Sequence, residues 1–301
     1  MRSHLLSEEV LQRVRLERGL QEALAGLYYF QQGLNRYPSV TTDAGNLVFL
    51  GLAVRKKGRL VLTLAGVSLA YHLIEYRNQV EQAGIKPVLE RLKIDRDSVV
   101  LDFGCGGGQT LLAAFHFNPR LVTGIDRDGY AVEFAEFLFR RSGIPRERYS
   151  FLNSEINAVS LPERSFTHVI CRLILYRVKV NQALSVLSRA TKSGGRIYIL
   201  AHSAGYYLSR TRIVLRNPAW LGYFLFVFIN GLLFAATGLQ LTLRLGKRRF
   251  SEIFFTEGSL KRALRRNGFK IEIFQRQSKN SPRVIFEVFG VKFLTDSGRK
   301  R

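Results

Sequence analysis

The feature that most constrains the fold is an apolar strand that runs directly into a turn with almost no side chains. Residues 98–103 are apolar apart from Ser98 and Asp102, and residues 104–108 read Gly-Cys-Gly-Gly-Gly. A helical pattern begins at Gln109. Glycines let a backbone adopt positive φ and approach a ligand closely. The free N–H groups and positive dipole end of the following helix suit a carboxylate. We therefore expect a strand, turn and helix that bind an anionic group.

Strand-like and helix-like segments alternate on the C-terminal side of this turn. Strands are predicted at 98–103, 121–125, 149–152, 167–173, 196–201, 269–274 and 283–289, and helices at 109–117, 129–142, 181–191 and 256–267. This order predicts an α/β fold, a seven-stranded, mostly parallel sheet with helices on both faces. The last two strands are close in sequence and are predicted to pair antiparallel. Thr256 and Gly268 are placed to begin and end the last helix.

The glycine turn resembles a known family motif. A dinucleotide-binding turn would read Gly-x-Gly-x-x-Gly, but the sixth position counted from Gly104 is Gln109. The pattern that starts at Asp102, Asp-x-Gly-x-Gly-x-Gly, resembles the first motif of class I S-adenosylmethionine-dependent methyltransferases, whose turn holds the aminoacyl part of the cofactor. Later segments are similar to further family motifs, although Thr167 replaces the usual Asp. These segments are 161–171, 190–196 and 256–269. The resemblance covers about 86–202 and 250–291.

The resemblance implies a Rossmann-like fold and S-adenosyl-L-methionine as the cofactor. Asp126 ends the second strand, where an acid can accept both ribose hydroxyls. Ser154 follows the third strand, where the family contacts adenine, although a plain loop is the alternative. The implied cofactor-binding residues are Asp102, Gly104, Cys105, Gly106, Gly108, Asp126, Arg127, Ser154 and Cys171.

Candidate acceptor residues follow the carboxyl ends of the strands, where ligands of α/β sheets bind. Methyl transfer from a sulfonium is an in-line displacement that mainly needs alignment and desolvation. A base is required only when the acceptor must lose a proton. His202 and Tyr176 are the predicted catalytic residues, with a structural hydrogen bond as the alternative for His202. Cys171, Tyr206 and Tyr207 are further candidates at this edge.

The charge of the chain limits its partners. Lys and Arg number 46 against 23 Asp and Glu, a formal net charge of +23. Such a surface favours nucleic acid, an anionic membrane leaflet or an anionic substrate. The two cysteines, Cys105 and Cys171, form neither a zinc pattern nor a disulfide framework, so we predict no metal and a reducing, intracellular compartment.

A long uncharged segment at 217–243 interrupts the α/β pattern. Its length would suit a membrane span, but strands of one sheet precede and follow it, and basic residues flank it on both sides. We predict a helical hairpin that turns at Asn230–Gly231 and dips into the cytoplasmic leaflet, or an interfacial helix. A buried subdomain or an oligomer interface is the alternative. The hairpin should expose four large apolar side chains, Trp220, Phe224, Phe228 and Leu233.

The sequence predicts two domains. Residues 1–85 are predicted as a helical accessory region, with a helix over 7–34 that Ser7 caps and two apolar helices at 44–54 and 60–74. The buried stripe of the first helix is predicted as Leu16, Leu20, Ala23, Leu24 and Leu27. Residues 86–301 are predicted as the methyltransferase domain, with a hydrophobic insertion at 203–249.

Three functions fit these features. The first is methyl transfer to a small, apolar or lipid-like acceptor by a cytoplasmic protein attached peripherally or monotopically to an anionic membrane. The second is RNA methylation on the basic surface. The third is a non-catalytic membrane-associated protein that keeps the fold. The apolar run favours the first over the second, because grooves for single-stranded nucleic acid combine basic residues with scattered aromatic ones. The glycine turn and Asp126 disfavour the third.

Overall fold

The computed structural model describes residues 6–32, 44–155, 158–209, 218–246, 248–277 and 285–293; the side chains at 44, 218–220, 245, 248 and 277 lie outside this description. The chain divides into two compact units. The first unit comprises residues 1–91 and 105–154, and the second comprises 92–104 and 155–301. The predicted domains, 1–85 and 86–301, divide the chain differently and stay a prediction.

The N-terminal region of the first unit contains helices and a short β-hairpin. Ser7 caps the first helix as predicted, since its hydroxyl accepts a hydrogen bond from the Val10 N–H at 3.2 Å. The elements are α1 (Glu8–Leu16), α2 (Arg18–Gln31), α3 (Ala44–Phe49), β1 (Ala53–Lys56), β2 (Arg59–Leu62), α4 (Leu64–Tyr76), a π-helical turn (Arg77–Glu81) and α5 (Lys86–Leu92).

Two predictions for this region are wrong. The helix predicted over 7–34 breaks at Glu17, whose backbone is extended, and Leu16 is 68 % exposed rather than part of the buried stripe. The segment between the apolar runs forms a hairpin, not a link between two helices. Lys57 and Gly58 both have positive φ in a two-residue turn, which matches the twist of paired strands.

The predicted α/β fold is confirmed. Seven strands form one sheet in the order β10-β11-β7-β6-β3-β4-β5. The strands are β3 (Val99–Phe103), β4 (Leu121–Asp126), β5 (Tyr149–Asn153), β6 (Phe166–Arg172), β7 (Thr191–His202), β10 (Phe269–Gln277) and β11 (Ile285–Lys292). The pairs β3–β6, β6–β7 and β4–β5 are parallel, and β11 is antiparallel to both β7 and β10. A separate hairpin joins β8 (Leu243–Leu245) and β9 (Arg248–Phe250).

The remaining helices follow the strands. They are α6 (Gln109–Ala114), α7 (Gly129–Arg141), α8 (Val180–Ala190), α9 (Ala204–Leu208), α10 (Pro218–Thr237) and α11 (Glu257–Arg266). Thr256 begins α11 as predicted, in a reciprocal capping pair with Ser259. Gly268 adopts a φ of 77° just after α11, which ends the helix in the way that glycine favours.

The predicted hairpin at Asn230–Gly231 is wrong, because α10 runs through both residues without interruption. Gly231 allows close packing instead of a turn, since a Cβ there would lie 2.5 Å from the Phe254 ring. Asn230 is fully buried, and its amide donates to the Leu241 carbonyl and accepts from the Leu241 N–H. A buried asparagine that satisfies backbone groups lies stably inside a helix.

The side chains predicted to be exposed on this segment are not the ones that reach the surface. Phe224, Phe228 and Leu233 are half-buried, and the Trp220 side chain lies outside the described residues. The exposed apolar side chains of α10 are instead Leu221, Leu225, Ile229 and Leu232. Among the described residues, no helix is both long and apolar enough to cross a membrane.

Candidate active site

The glycine turn that follows β3 has the strained backbone that the sequence predicts. Gly104, Gly106 and Gly108 have φ values of 78°, 52° and 76°. A Cβ on Gly104 would lie 2.9 Å from the Ile174 side chain, and one on Gly106 would lie 2.5 Å from the His72 ring. Both the backbone conformation and the available space therefore require glycine at these positions.

Asp126 fixes the turn from the end of β4. One of its carboxylate oxygens accepts a hydrogen bond from the Gly106 N–H, and the other accepts one from the Asp128 N–H, both at 2.9 Å. Each carboxylate oxygen has a second lone pair, so two acceptor positions remain for ribose hydroxyls. The Ser154 N–H donates to the Asp126 carbonyl, which holds the end of β5 beside Asp126. Arg127 is exposed, and the cofactor contacts of Arg127 and Ser154 stay predictions.

His72 completes the turn, and the sequence analysis missed it. Its Nδ1 accepts a hydrogen bond from the Gly107 N–H at 3.2 Å, and its carbonyl accepts one from the Gln109 side chain at 2.8 Å. Burial lowers the pKa of His72, although Asp126 and Asp128 oppose the shift. His72 lies on α4, in a region without resemblance to the family. A lone histidine in an apolar helix is the only sequence signal that could have indicated it.

We predict that His72→Ala weakens S-adenosylmethionine binding by about tenfold, because it leaves a buried N–H of the turn without its acceptor. The stability of the wild-type protein should also depend on His72, and it should decrease at acid pH. The pKa of folded His72 lies below the ordinary value of about 6.5, so the unfolded chain gains the proton first as pH falls. The free energy of unfolding should therefore decrease below about pH 6.5.

Denaturant unfolding at several pH values and calorimetry with the cofactor would test this. His116→Ala is the matched control, because His116 is exposed. The acid dependence should be smaller in His72→Ala but not lost, because burial also lowers the pKa of His168. An unchanged acid dependence and cofactor affinity in His72→Ala would contradict the assignment.

Asp102 and Cys171 are buried in the second unit, on the neighbouring strands β3 and β6. Burial, and after it the Asp102 charge, raises the pKa of the Cys171 thiol, so Cys171 stays protonated. A protonated thiol is a poor nucleophile. Cys105, in the glycine turn, is also a buried free thiol. The predicted cofactor contacts of Asp102, Cys105 and Cys171 stay predictions.

The structure brings the acceptor candidates of the second unit together. Tyr176 follows β6, His202 ends β7, and their ring centroids lie 4.5 Å apart. Tyr206 stacks on His202 with centroids 3.5 Å apart, and Tyr207 packs edge-on against Tyr206 at 5.4 Å. Ile174, which lies against Gly104 at the end of β3, comes two residues before Tyr176. Whether His202 and Tyr176 act in catalysis stays a prediction.

Two further residues of this group were not predicted. Residues 251–255 cross the ends of β6 and β7, because the N–H groups of Ile253 and Phe255 donate to the carbonyls of Tyr176 and His202 at 3.1 Å. This segment carries Glu252 to the tyrosines, and α10 contributes Tyr223. The sequence offered no signal, since 203–249 matches no family motif and Glu252 approaches the tyrosines only after folding.

The tyrosine hydroxyls of this group share one electrostatic environment. Burial raises the pKa of Tyr176, Tyr207 and Tyr223, and the negative charge of Glu252 raises each pKa further. These hydroxyls therefore stay protonated near neutral pH and can donate hydrogen bonds. We call Tyr176, His202, Tyr206, Tyr207, Tyr223 and Glu252 the acceptor cluster. Among the described residues, no group of three or more His, Cys, Asp or Glu side chains could hold a metal ion.

Comparison with known proteins agrees with this geometry. Residues 101–199 match a family model described as a methyltransferase domain. The chain is 29 % identical over 112 residues to YodH, an uncharacterized methyltransferase of Bacillus subtilis, and 31 % identical over 105 residues to a ribosomal protein L11 methyltransferase of Methylobacillus flagellatus. These matches cover 37 % and 34 % of this chain, and 46 % and 31 % of the relatives, so the chain spans less than half of either relative.

Solved structures show the same fold. A crystal structure of an S-adenosylmethionine-dependent methyltransferase from Methanosarcina mazei superimposes with a TM-score of 0.50 at 21 % identity, covering 69 % of this chain and 98 % of that one. The chain therefore contains a methyltransferase domain with the fold of class I, S-adenosylmethionine-dependent methyltransferases. S-adenosyl-L-methionine is the cofactor of this class, and the remaining acceptor positions of the Asp126 carboxylate fit its ribose hydroxyls.

Proposed function

We propose that the protein transfers the methyl group of S-adenosylmethionine to a small, apolar or lipid-like acceptor at the cytoplasmic surface of an anionic membrane. One observation carries this proposal: the outer face of α10 is apolar. Leu221, Leu225, Ile229 and Leu232 are exposed and follow each other at intervals of three or four residues, which places them on one side of the helix. A helix that faces only water would carry polar side chains there.

The opposite face of α10 connects this surface to the acceptor cluster. Tyr223, Val227, Asn230 and Phe234 lie at helical spacing on that face; Tyr223 belongs to the cluster, and the other three are buried. The Asn230 amide also donates to the Glu252 carbonyl at 3.1 Å. An acceptor bound at a membrane would therefore lie close to side chains that the same helix holds in place.

Basic residues accompany the apolar face. Arg262 on α11 donates to the Ala235 carbonyl in the last turn of α10, and Arg266 lies close to Gly238 just beyond it. Arg244 and Arg249, in the following hairpin, are exposed. Each basic residue near an anionic leaflet adds about 1 kcal/mol of attraction. The apolar face of α10 and the positive charges near it therefore both favour binding to an anionic membrane.

The chain's own residues have separate tasks in this proposal. The sulfonium of S-adenosylmethionine supplies an activated methyl group. The glycine turn and Asp126 would bind and orient the cofactor, and the buried side chains of Tyr176, His202 and Tyr207 would exclude water from the acceptor.

Incubation with radiolabelled S-adenosylmethionine and, separately, total lipid, small-metabolite and RNA fractions tests the substrate class. We expect label in the lipid fraction, or among apolar metabolites, in the presence of anionic vesicles. Gly106→Val is the negative control, since valine at a φ of 52° would be strained and would clash with His72. Label in RNA would support the RNA alternative instead. No transfer to any fraction, together with intact cofactor binding, would support a non-catalytic role.

A further inference from the structure

We infer that the acceptor group is an amine, which the acceptor cluster binds as an ammonium ion beside Glu252, and that Glu252 takes its proton. This inference rests on the proposed function and narrows it to one acceptor chemistry. The observation behind it is that Oε2 of Glu252 is buried and has no hydrogen-bond partner among the described residues. A buried carboxylate oxygen without a hydrogen-bond donor is costly, so a ligand that supplies a donor or a positive charge would stabilise it.

The surroundings of Glu252 suit a cation. Ile253, the next residue, contacts two of the tyrosines: its N–H donates to the Tyr176 carbonyl at 3.1 Å, and its carbonyl accepts a hydrogen bond from the Tyr207 hydroxyl at 3.4 Å. The charge of Glu252 raises the pKa of Tyr176, Tyr207 and Tyr223, in addition to the effect of burial. An ammonium ion could donate to the carboxylate and to phenolic oxygens at once, because it has three N–H donors. Aromatic rings also attract cations. Arg177 is a cation at this group, and its guanidinium lies over the Tyr176 ring, 5.5 Å from the centroid.

The reaction balances with these residues alone. The ammonium ion gives one proton to the Glu252 carboxylate, and the neutral amine then attacks the methyl carbon. A nitrogen–carbon bond forms while the carbon–sulfur bond breaks, and the electron pair of the broken bond goes to sulfur. The product leaves as a methylated ammonium ion.

Other acceptor groups fit Glu252 less well. An alcohol is far too weak an acid to give its proton to a carboxylate, whose ordinary pKa is about 4.3, whereas alkylammonium groups titrate near 10.4. A phenol is as acidic as an ammonium ion, but it is neutral and places no positive charge beside the Glu252 carboxylate. An ammonium ion instead brings the positive charge that this carboxylate lacks.

The experiment uses the full chain and radiolabelled S-adenosylmethionine with three probes. These are vesicles of phosphatidylglycerol with phosphatidylethanolamine, vesicles of phosphatidylglycerol alone, and free ethanolamine. Phosphatidylglycerol supplies the anionic surface and hydroxyl groups but no amine. We expect label in an amine probe and none in phosphatidylglycerol. Label in the mixed vesicles identifies a lipid amine as the source, and label in free ethanolamine identifies a small amine.

Glu252→Gln should lower the rate of amine methylation by about a hundredfold at pH 7, the usual range for loss of a general base. Its cofactor affinity should stay at the wild-type value. The rate of Glu252→Gln should rise more steeply with pH than the wild-type rate, because the free amine must then come from solution, and Glu252→Asp should restore part of the activity. Glu257→Gln is the matched control: Glu257 is five residues away and pairs with Lys261 and Arg276 outside the cluster.

The outcomes separate this inference from the proposed function. Wild-type rates in Glu252→Gln, label on phosphatidylglycerol, or no label on either amine probe would overturn the amine assignment. The proposed function would survive each of these results if the total lipid or apolar metabolite fraction takes up label. It fails only if those fractions also stay unlabelled while the protein still binds the cofactor.

Discussion

Replacing Asp126 with alanine should lower the affinity for S-adenosylmethionine by about a hundredfold or more. Asp126 has two acceptor positions for ribose hydroxyls, and hydrogen bonds to a charged group contribute about 1.5–3 kcal/mol each. Two such bonds amount to at least about 3 kcal/mol, which is about a hundredfold in affinity. The variant also loses the hydrogen bond from the Gly106 N–H that fixes the glycine turn. Both the lost ribose contacts and the less ordered turn lower the affinity for S-adenosylmethionine.

Calorimetric titration with S-adenosylmethionine measures this effect directly. Asp128→Ala is the matched control, because Asp128 lies two residues away and caps α7 by accepting a hydrogen bond from the Tyr130 N–H. That variant should lose about 1 kcal/mol of stability and keep its cofactor affinity within a few-fold. Equal affinities in Asp126→Ala and the wild-type protein, with both variants folded, would remove Asp126 from the cofactor site.

The parts of the fold that sequence predicted correctly are those that local chemistry determines. An apolar segment that meets glycines and then a helical pattern has few alternatives, so β3, the turn and α6 were predicted close to their observed bounds. The acid at the end of β4 could be predicted for the same reason, since sheet edges gather strand ends. Thr256 with Ser259 is a local capping signal and gave the start of α11.

The parts that sequence missed depend on contacts between distant residues. His72 reaches the glycine turn from 35 residues away, and Glu252 reaches Tyr176 only because residues 251–255 cross the strand ends. The structure of the hydrophobic insertion was predicted wrongly for another reason. Apolar residues occur on every side of α10, so periodicity could not separate its buried face from its exposed face. Asn230 indicated a turn, but it satisfies buried backbone groups inside one continuous helix.

The double substitution Leu225→Asp and Ile229→Asp should abolish binding to anionic vesicles. Both side chains are exposed on the outer face of α10, 51 % and 61 % respectively. Transfer of a fully exposed leucine or isoleucine side chain out of water contributes about 1.5–3 kcal/mol, and these two are about half exposed, so together they contribute about 1.5–3 kcal/mol. The loss of this apolar contact alone should therefore lower vesicle affinity by at least about tenfold. Repulsion between aspartate and an anionic surface would weaken binding further.

Vesicle flotation at several salt concentrations measures this binding, which should weaken as salt screens the basic residues. Leu16→Asp with Leu64→Asp is the matched control, because it adds the same charge at two other exposed leucines, on α1 and α4. The control should float with vesicles like the wild-type protein. Since the substituted side chains face outward, the melting temperature should change little in either variant. If the α10 variant still floats, the face has another partner, and sedimentation of both proteins without lipid would then show whether that partner is a second copy of this chain.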